Sequence, residues 1–506
     1  MYSESGPSTR PRHLAFAASV ASLLAGCAVG PDFSRPDANA PNGYTAEKLD
    51  LQEAAGAEAK QSLAIGKKIS GSWWQLFHSK QLDEVLNLAL ADNQDLAAAQ
   101  ATLAQAKEAV DQSAGALWPH VQMTAGVGRQ QTNNASSGFD SVHSDFSTYT
   151  IGPNVSYALD IFGLNRRQVE QSAALAEAQE YQLAAVYLTL CGNVVNQVIA
   201  IASVRQQIAI VNEIVADDDK NVKNVSELLS LGESTRTDVE QARSQFTADR
   251  ATLPPLQQQL SVAKHALAIL IGRAPAEWVA PDFDLAEFTL PEELPLSVPS
   301  ELVRQRPDIL SAEAQLHAAS AAIGVATAQM YPQINLSASF TQQIVDPANL
   351  FSGAGSIWSV AAQLTAPIFQ GGTLAAQRRG AVDAFNAKAA TYKQTVLTSF
   401  GQVADTLTAI DNDAQLLDRQ RSAQDSAATT RQLIQETYRG GGVTILQVLD
   451  SERQYAQARL GYTRARAQRF TDSAQLFNAM GGAWWDWRNS EPAAAAKSAS
   501  ASTVKP

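Results

Sequence analysis

Several things are scarce in this chain of 506 residues, and each scarcity removes a class of function. Positive charge is in deficit, with a formal net charge of −12, which argues against a nucleic-acid partner, since such a partner needs a basic surface. The six histidines are scattered, and no H-E-x-x-H pair, nucleophile elbow or phosphate-binding glycine loop occurs. No catalytic residues, cofactor or metal-ligand set are therefore expected, and an enzyme is not the expected reading. Aromatic residues make up 7% of a sequence crowded with Ala and Gln, which suits long helices packed by small side chains better than thick globular cores. After the N-terminus no apolar run is long enough for a transmembrane helix. Proline is missing over two long stretches, between Pro153 and Pro254 and between Pro367 and Pro492.

What is present is a duplication. Asp95 to Gln130 recurs from Asp308 in the same register, with Asp95 over Asp308, Leu103 over Leu316 and Pro119 over Pro332, which implies two similar halves. Before the proline, Leu96, Leu103, Val110 and Leu117 fall seven apart, as do Ile309, Leu316, Ile323 and Met330, marking an alanine-rich helix with a coiled-coil seam. After it the period is two. Val121, Met123, Ala125 and Val127 alternate with polar or small residues, as do Ile334, Leu336, Ala338 and Phe340. Partner strands follow, one with Tyr149, Ile151, Val155, Tyr157 and Leu159 on one face, the other with Trp358, Val360, Ala362, Leu364, Ala366 and Ile368. Strands of about 9 to 11 residues suffice to cross a bilayer at a tilt. Four strands cannot close a spanning barrel, which needs at least about eight, so oligomerisation is expected.

The proline-free stretches continue the heptads. Tyr187, Val194, Ile201, Ile208, Val215, Val222 and Leu229 keep a seven-residue spacing, as do Val396, Val403, Ile410 and Leu417. From Gly163 to Leu231 such a helix reaches ~100 Å at about 1.5 Å per residue. Gly232 and the run Gly440 to Gly442 read as tight helix-helix turns, after which the chain returns as Ser234 to Gly272 and Thr444 to Gly482. Pro254-Pro255 predicts a belt of irregular structure partway along the first return. Residues 73–272 and 301–482 form the two repeats, 273–300 a Pro-rich linker between them, and 483–506 a tail of disorder-prone composition.

The N-terminus reads as Arg10 and Arg12, an apolar run from Leu14, then Leu24-Ala25-Gly26-Cys27, which resembles a bacterial lipobox. Residues 1–26 are then a signal peptide and 27–72 an acylated N-terminal segment of low order, with Cys27 lipidated. Acylation leaves Cys191 without a disulfide partner, so it is read as a small apolar helix residue. Ala28 in place of an aspartate favours outer-membrane delivery.

Five motifs in order, CAVGPDFSRP, SWWQLF, DIFGLNRR, RQRPDI and PIFQGG, resemble the outer membrane factor (TolC-like) family, and within it the lipoprotein branch that serves resistance-nodulation-division pumps. The resemblance extends to about Gly482. It implies an α+β membrane protein that assembles as a trimer, its twelve-stranded barrel (four strands per chain) continued by an α-helical coiled-coil barrel. It further implies a periplasmic adaptor and an inner-membrane pump as partners, outer-membrane lipid around the barrel, and passive export of small molecules. GESTRTDVEQAR at Gly232, with Asp238, and YRGGGVTILQVLDSER at Tyr438, with Gly441, are similar to the family's periplasmic-tip motifs, and Leu446 and Asp450 match its constriction. By itself Asp450 equally suits the first turns of a helix, where the dipole favours an acid. Glu233, Ser451 and the triple glycine depart from the pattern. The run Asp217 to Asp219 reads as a solvated face, with a ring facing the lumen as its alternative. The alternatives to small-molecule efflux are a type I secretion conduit, which shares the fold, and a structural envelope lipoprotein without a lumen.

Overall fold

The computed structural model describes residues 28–37, 40–46, 61–67, 69–133, 143–482 and 484–485. Cys27, the expected signal segment and nearly all of the expected tail lie outside the described residues. In chain order the elements are β1 (Ser62–Ile65), α1 (Lys80–Asp92), α2 (Gln94–Gly115), β2 (His120–Asn133), β3 (His143–Leu159), α3 (Leu164–Ser230), α4 (Arg236–Arg250) and α5 (Leu253–Leu270). The second half follows as β4 (Glu293–Leu296), α6 (Pro299–Gln305), α7 (Pro307–Ala328), β5 (Gln333–Ile344), β6 (Ser356–Thr365), α8 (Thr373–Arg439) and α9 (Ile445–Ala479). The chain divides into two units that each draw on both repeats: Met1–Pro36, Thr102–Gln179 and Ser311–Tyr392 in one, Asp37–Ala101, Glu180–Leu310 and Lys393–Pro506 in the other.

The first unit is built on one antiparallel sheet in the order β2-β3-β5-β6, so the two hairpins join through β3 and β5. The register lines up the apolar positions across all four strands: Val121 opposite Val155, Val155 opposite Ala338, Ala338 opposite Val360. Polar residues make the other face, where Ser339 Oγ meets Ser359 Oγ at 2.8 Å. At the β3–β5 seam Gly152 is obligatory. A Cβ there would lie 2.0 Å from the Phe340 carbonyl oxygen, so the two backbones come together only without a side chain. The strands have 14, 17, 12 and 10 residues, so the first hairpin outruns the expected length and β6 stops before Ala366 and Ile368.

The second unit centres on aromatic packing. Trp73 and Phe77 are fully buried, Trp73 stacking on Phe477 with 5.1 Å between ring centroids and Phe77 tilting against Phe470 at 6.0 Å. This explains the SWWQLF motif: its residues 73–77 form a single 3-10 turn that delivers both rings to one side. Here two expectations are corrected. The segment before Gly71 is not uniformly of low order, because β1 pairs in parallel with β4, Ser62 opposite Glu293 through Ile65 opposite Leu296. The proline-rich linker thus supplies a strand, which the prolines concealed; an edge strand tolerates Pro295. The break at Pro254-Pro255 is also smaller than expected. The prolines sit in the first turn of α5, where their missing N–H groups cost nothing, and only residues 251 and 252 leave the helix.

The long helices α3 and α8 each span 67 residues. One apolar window of α3 does meet the length and composition of a membrane span, contrary to expectation, but 61% of it is buried within the chain, which is how a packed coiled-coil helix earns the same hydropathy. Val396, Val403, Ile410 and Leu417 are all buried, as their spacing requires. On α3 the expected column is buried at Tyr187, Val194 and Ile201, then loosens at Ile208 and Val215. Below that level the innermost column is Val211, Asp218 and Val225, also seven apart, at 2%, 2% and 0% exposure.

Candidate functional site: strand face, N-terminal seat and helix tips

The sheet presents large apolar residues to the outside: Val121, Met123, Val127, Trp358, Val360 and Leu364 are each more than 60% exposed. An apolar face of this extent on a sheet whose other face is polar matches the requirements of a lipid boundary. Both edges, β2 and β6, are unpaired with any other described strand.

Beside the end of β3, the residues that follow Cys27 are seated on the first unit. Arg167, in the first turn of α3, donates from Nε to the Val29 carbonyl (3.2 Å), from Nη2 to Asp32 Oδ1 (2.7 Å) and from Nη1 to Glu170 Oε2 (2.7 Å). Its partners hold the guanidinium above its usual value against the opposing effect of burial. Glu170 also meets His317 Nε2 at 3.0 Å, and Phe33 stacks on the His317 ring at 4.5 Å. Gly30 takes φ +102, and a Cβ on it would strike the Gly324 backbone at 2.5 Å. The sequence motifs VGPDF and LNRR are therefore two halves of one contact, a link that no spacing rule announces.

At the helix tips two turns repeat one geometry. Gly232 (φ +81) donates to the Leu229 carbonyl and Glu233 reaches back to Leu228. Gly441 (φ +76) donates to Tyr438 and Gly442 to Thr437. In each the left-handed glycine lets the chain satisfy the last helix carbonyls and reverse. Each return helix begins with a capping box, Thr235 with Asp238 and Thr444 with Gln447. Hydrogen bonds from Thr235 hold the Asp238 carboxyl below the usual carboxylate range. Below the acidic run, Val225, Val239, Ala242, Ile445, Val448 and Leu449 form one apolar core, flanked by Ile434 and Tyr438, so both hairpins contribute to it.

Leu446 and Asp450 lie one turn apart on α9 and are both about half exposed, Leu446 at 43% and the Asp450 side chain at 48%. Asp450 is held by its own helix, paired with Arg453 and accepting from Gln454 Nε2 at 2.7 Å. Ser451, unusual in the motif, is buried and donates to the Val448 carbonyl at 2.8 Å.

The acidic run divides. Asp217 and Asp219 are partly exposed and pair with Lys220 (2.9 Å) and Lys223 (2.6 Å), as a solvated face would. Asp218 instead points inward between Val211 and Val225. It shares a hydrogen bond with Asp249 of α4, and burial together with that acid pushes its carboxyl up to about 8. Reading the three acids as a single solvated face missed this; the seven-residue spacing of 211, 218 and 225 was the available signal.

A sheet with an exposed apolar side and open edges, in a chain of heptad helices with matched reversals, fits an outer-membrane protein of the strand-and-coiled-coil kind. The family model described as "Outer membrane efflux protein" matches residues 85–273 and again 298–482, once for each repeat. The chain belongs to the outer membrane efflux protein family. It is 30% identical over 449 residues to the pyoverdine export outer membrane protein OpmQ of Pseudomonas aeruginosa, covering 87% of this chain and 94% of that one. To the cation efflux system protein CusC of Escherichia coli it is 28% identical over 476 residues, 92% of this chain and 97% of the other. Among solved structures, the outer-membrane channel OprN superposes with a TM-score of 0.82 at 26% identity, over 90% of this chain and all of that one.

Proposed function

We propose that this chain is the outer-membrane duct of a tripartite efflux assembly, passively releasing small molecules that an inner-membrane pump of the resistance-nodulation-division kind delivers through a periplasmic adaptor. The observation that carries this reading is the sheet. Its apolar positions align across four strands while both edges stay open, and an edge left in lipid strands backbone N–H and C=O groups at several kcal/mol each. Closing the edges with further copies of this chain removes that cost. Three copies give a twelve-stranded barrel, wide enough to hold a water-filled lumen.

On this reading residues 1–26 are removed as a lipoprotein signal, Cys27 carries the acyl chains, and the Arg167 seat holds the following residues beside the strand ends. The helix tips are the periplasmic end and the surface the adaptor meets. Gly232 and Gly441 shape the turns, the Asp238 capping box fixes the start of the return helix, and Leu446 with Asp450 narrows the passage. Three copies of Asp450 around an axis form an acidic ring.

Conductance of the purified protein in a planar bilayer tests the reading. Small, mostly closed events in the wild type, enlarged in Asp450→Ala, are the expected result. Silence from both proteins, each shown to be inserted and oligomeric, would instead support an envelope spacer without a lumen.

A further inference from the structure

Asp218 stands where a heptad calls for an apolar side chain, and the groups around it come from every helix of the two hairpins. From α4, Asp249 faces it and shares a hydrogen bond with it, Asp249 itself accepting from Gln245 Nε2 at 2.7 Å. From α9, Glu452 faces it, its carboxylate held by two neutral amides: Asn221 Nδ2 of α3 at 2.5 Å and Gln435 Nε2 of α8 at 3.1 Å. On its own helix Asp217 adds a further negative charge, partly answered by Lys220. Arg431 of α8 acts on Glu452 rather than on Asp218, and lies over the Tyr455 ring at 4.4 Å. Asp218 is 2% exposed, and its Oδ2 makes no hydrogen bond among the described residues. A buried carboxyl with a second carboxyl at hydrogen-bond range and no cation of its own has one occupant that resolves the repulsion, a proton between the two acids. Among the described residues no group of three or more ligands is placed to hold a metal ion.

We propose that Asp218, Asp249 and Glu452 form a proton-operated latch that fastens the α3–α4 hairpin to the α8–α9 hairpin above the tip core and releases it as pH rises. In the fastened state one proton is shared between Asp218 and Asp249. Separation of the hairpins admits water, both carboxyls ionise, and that proton passes to solvent. The sign follows from linkage. The fastened state binds the proton up to about pH 8, whereas a solvated aspartate loses it near pH 4. Across that window the ratio of fastened to separated tips falls by up to tenfold per pH unit as pH rises, the slope of a single proton. At lower pH both states hold the proton, and at higher pH neither does, so the ratio is flat outside the window. Glu452 follows Asp450 by two residues on α9, but Asp450 is held by Arg453 and Gln454 whereas Glu452 is held by Asn221 and Gln435, so the latch is a second control on the same tip. Its bearing on passage rests on the channel reading above; the latch itself does not.

Hydrogen exchange of the full-length protein in detergent, corrected for the intrinsic pH dependence of amide exchange, reads the latch directly. The backbone amides of Val239 to Ala242 and of Val448 to Leu449 report it, because they line the core that separates. Raising the pH from about 5.5 to 7.5 should increase their opening by up to roughly a hundredfold, and Asp218→Asn should abolish the dependence. Asp413→Asn should keep it, since Asp413 is a buried carboxyl that faces Asp472 in a different part of the α8–α9 hairpin. If Asp218→Asn does not assemble, Asp249→Asn removes the same shared proton and is judged by the same slope. A flat wild-type profile, or an undiminished slope in the folded variant, overturns the latch. A latch that titrates in a protein with no conductance at any pH would keep this inference and remove the channel reading.

Discussion

The triple glycine at the second tip allows a sharp test, because its members are not equivalent. Gly441 has φ +76, and a Cβ there would meet nothing within 4 Å. An alanine at 441 therefore pays for backbone conformation alone, about 1 kcal/mol for an L-residue held in the left-handed region. Gly440 lacks a positive φ, and a Cβ on it would make ordinary contact with the Thr437 carbonyl oxygen at 3.5 Å. Alanine at 440 should then be neutral or slightly stabilising, since it removes freedom from the unfolded chain. A cost of about 1 kcal/mol is roughly a fivefold rise in local opening, read by exchange at the Leu449 amide, with Gly440→Ala unchanged or slower. Gly441→Asn should recover much of the loss, because asparagine tolerates this region better than alanine. Gly232→Ala, at φ +81 with equally open surroundings, should repeat the Gly441→Ala result at the first tip. Equal effects at 440 and 441, or none at 441, would refute the assignment of the left-handed turn as what reverses the chain.

Other outcomes follow from the same geometry. Gly152→Val should prevent β3 from pairing with β5 and abolish the heat-sensitive oligomer that the trimer reading expects on unheated gels, because its Cβ would meet backbone at 2.0 Å. Gly126→Ala, which meets only the Thr150 hydroxyl at 3.2 Å, should assemble. Arg167→Ala removes the charge-assisted bonds to Asp32 and Glu170 and the bond to the Val29 carbonyl. Losing about 2 kcal/mol of local protection should speed protease cleavage of residues 29–35 roughly 30-fold, with the strand sheet intact. Trp73→Ala, at a fully buried ring stacked on Phe477, should cost about 3 to 5 kcal/mol and lower the thermal midpoint of the helical region.

Much of this protein was legible before its structure. The duplication, the switch from a helical to a strand period at Pro119 and Pro332, the two tip reversals and the α8 seam all rest on local rules: side-chain period, the fixed φ of proline and the free φ of glycine. Those rules act within a few residues, so the order of amino acids states them outright. The residues of the sheet's exposed apolar face were legible for the same reason, since an alternating strand declares which face is apolar.

What the sequence did not declare depends on residues far apart in the chain. β1 pairs with β4 across more than two hundred positions, and two short strands carry no periodic signal strong enough to announce themselves. Arg167 binds the Val29–Asp32 segment because the fold brings the start of α3 to the N-terminal strap. The acidic run shows the limit most plainly. Three consecutive aspartates look alike as letters, but a helix turns about 100° per residue. Two of them therefore reach solvent and lysines, while the packing of α4 and α9 against α3 closes over Asp218. Side-chain period and backbone freedom determined the elements; which charge is buried, and against what, was decided by the packing of helices distant in sequence.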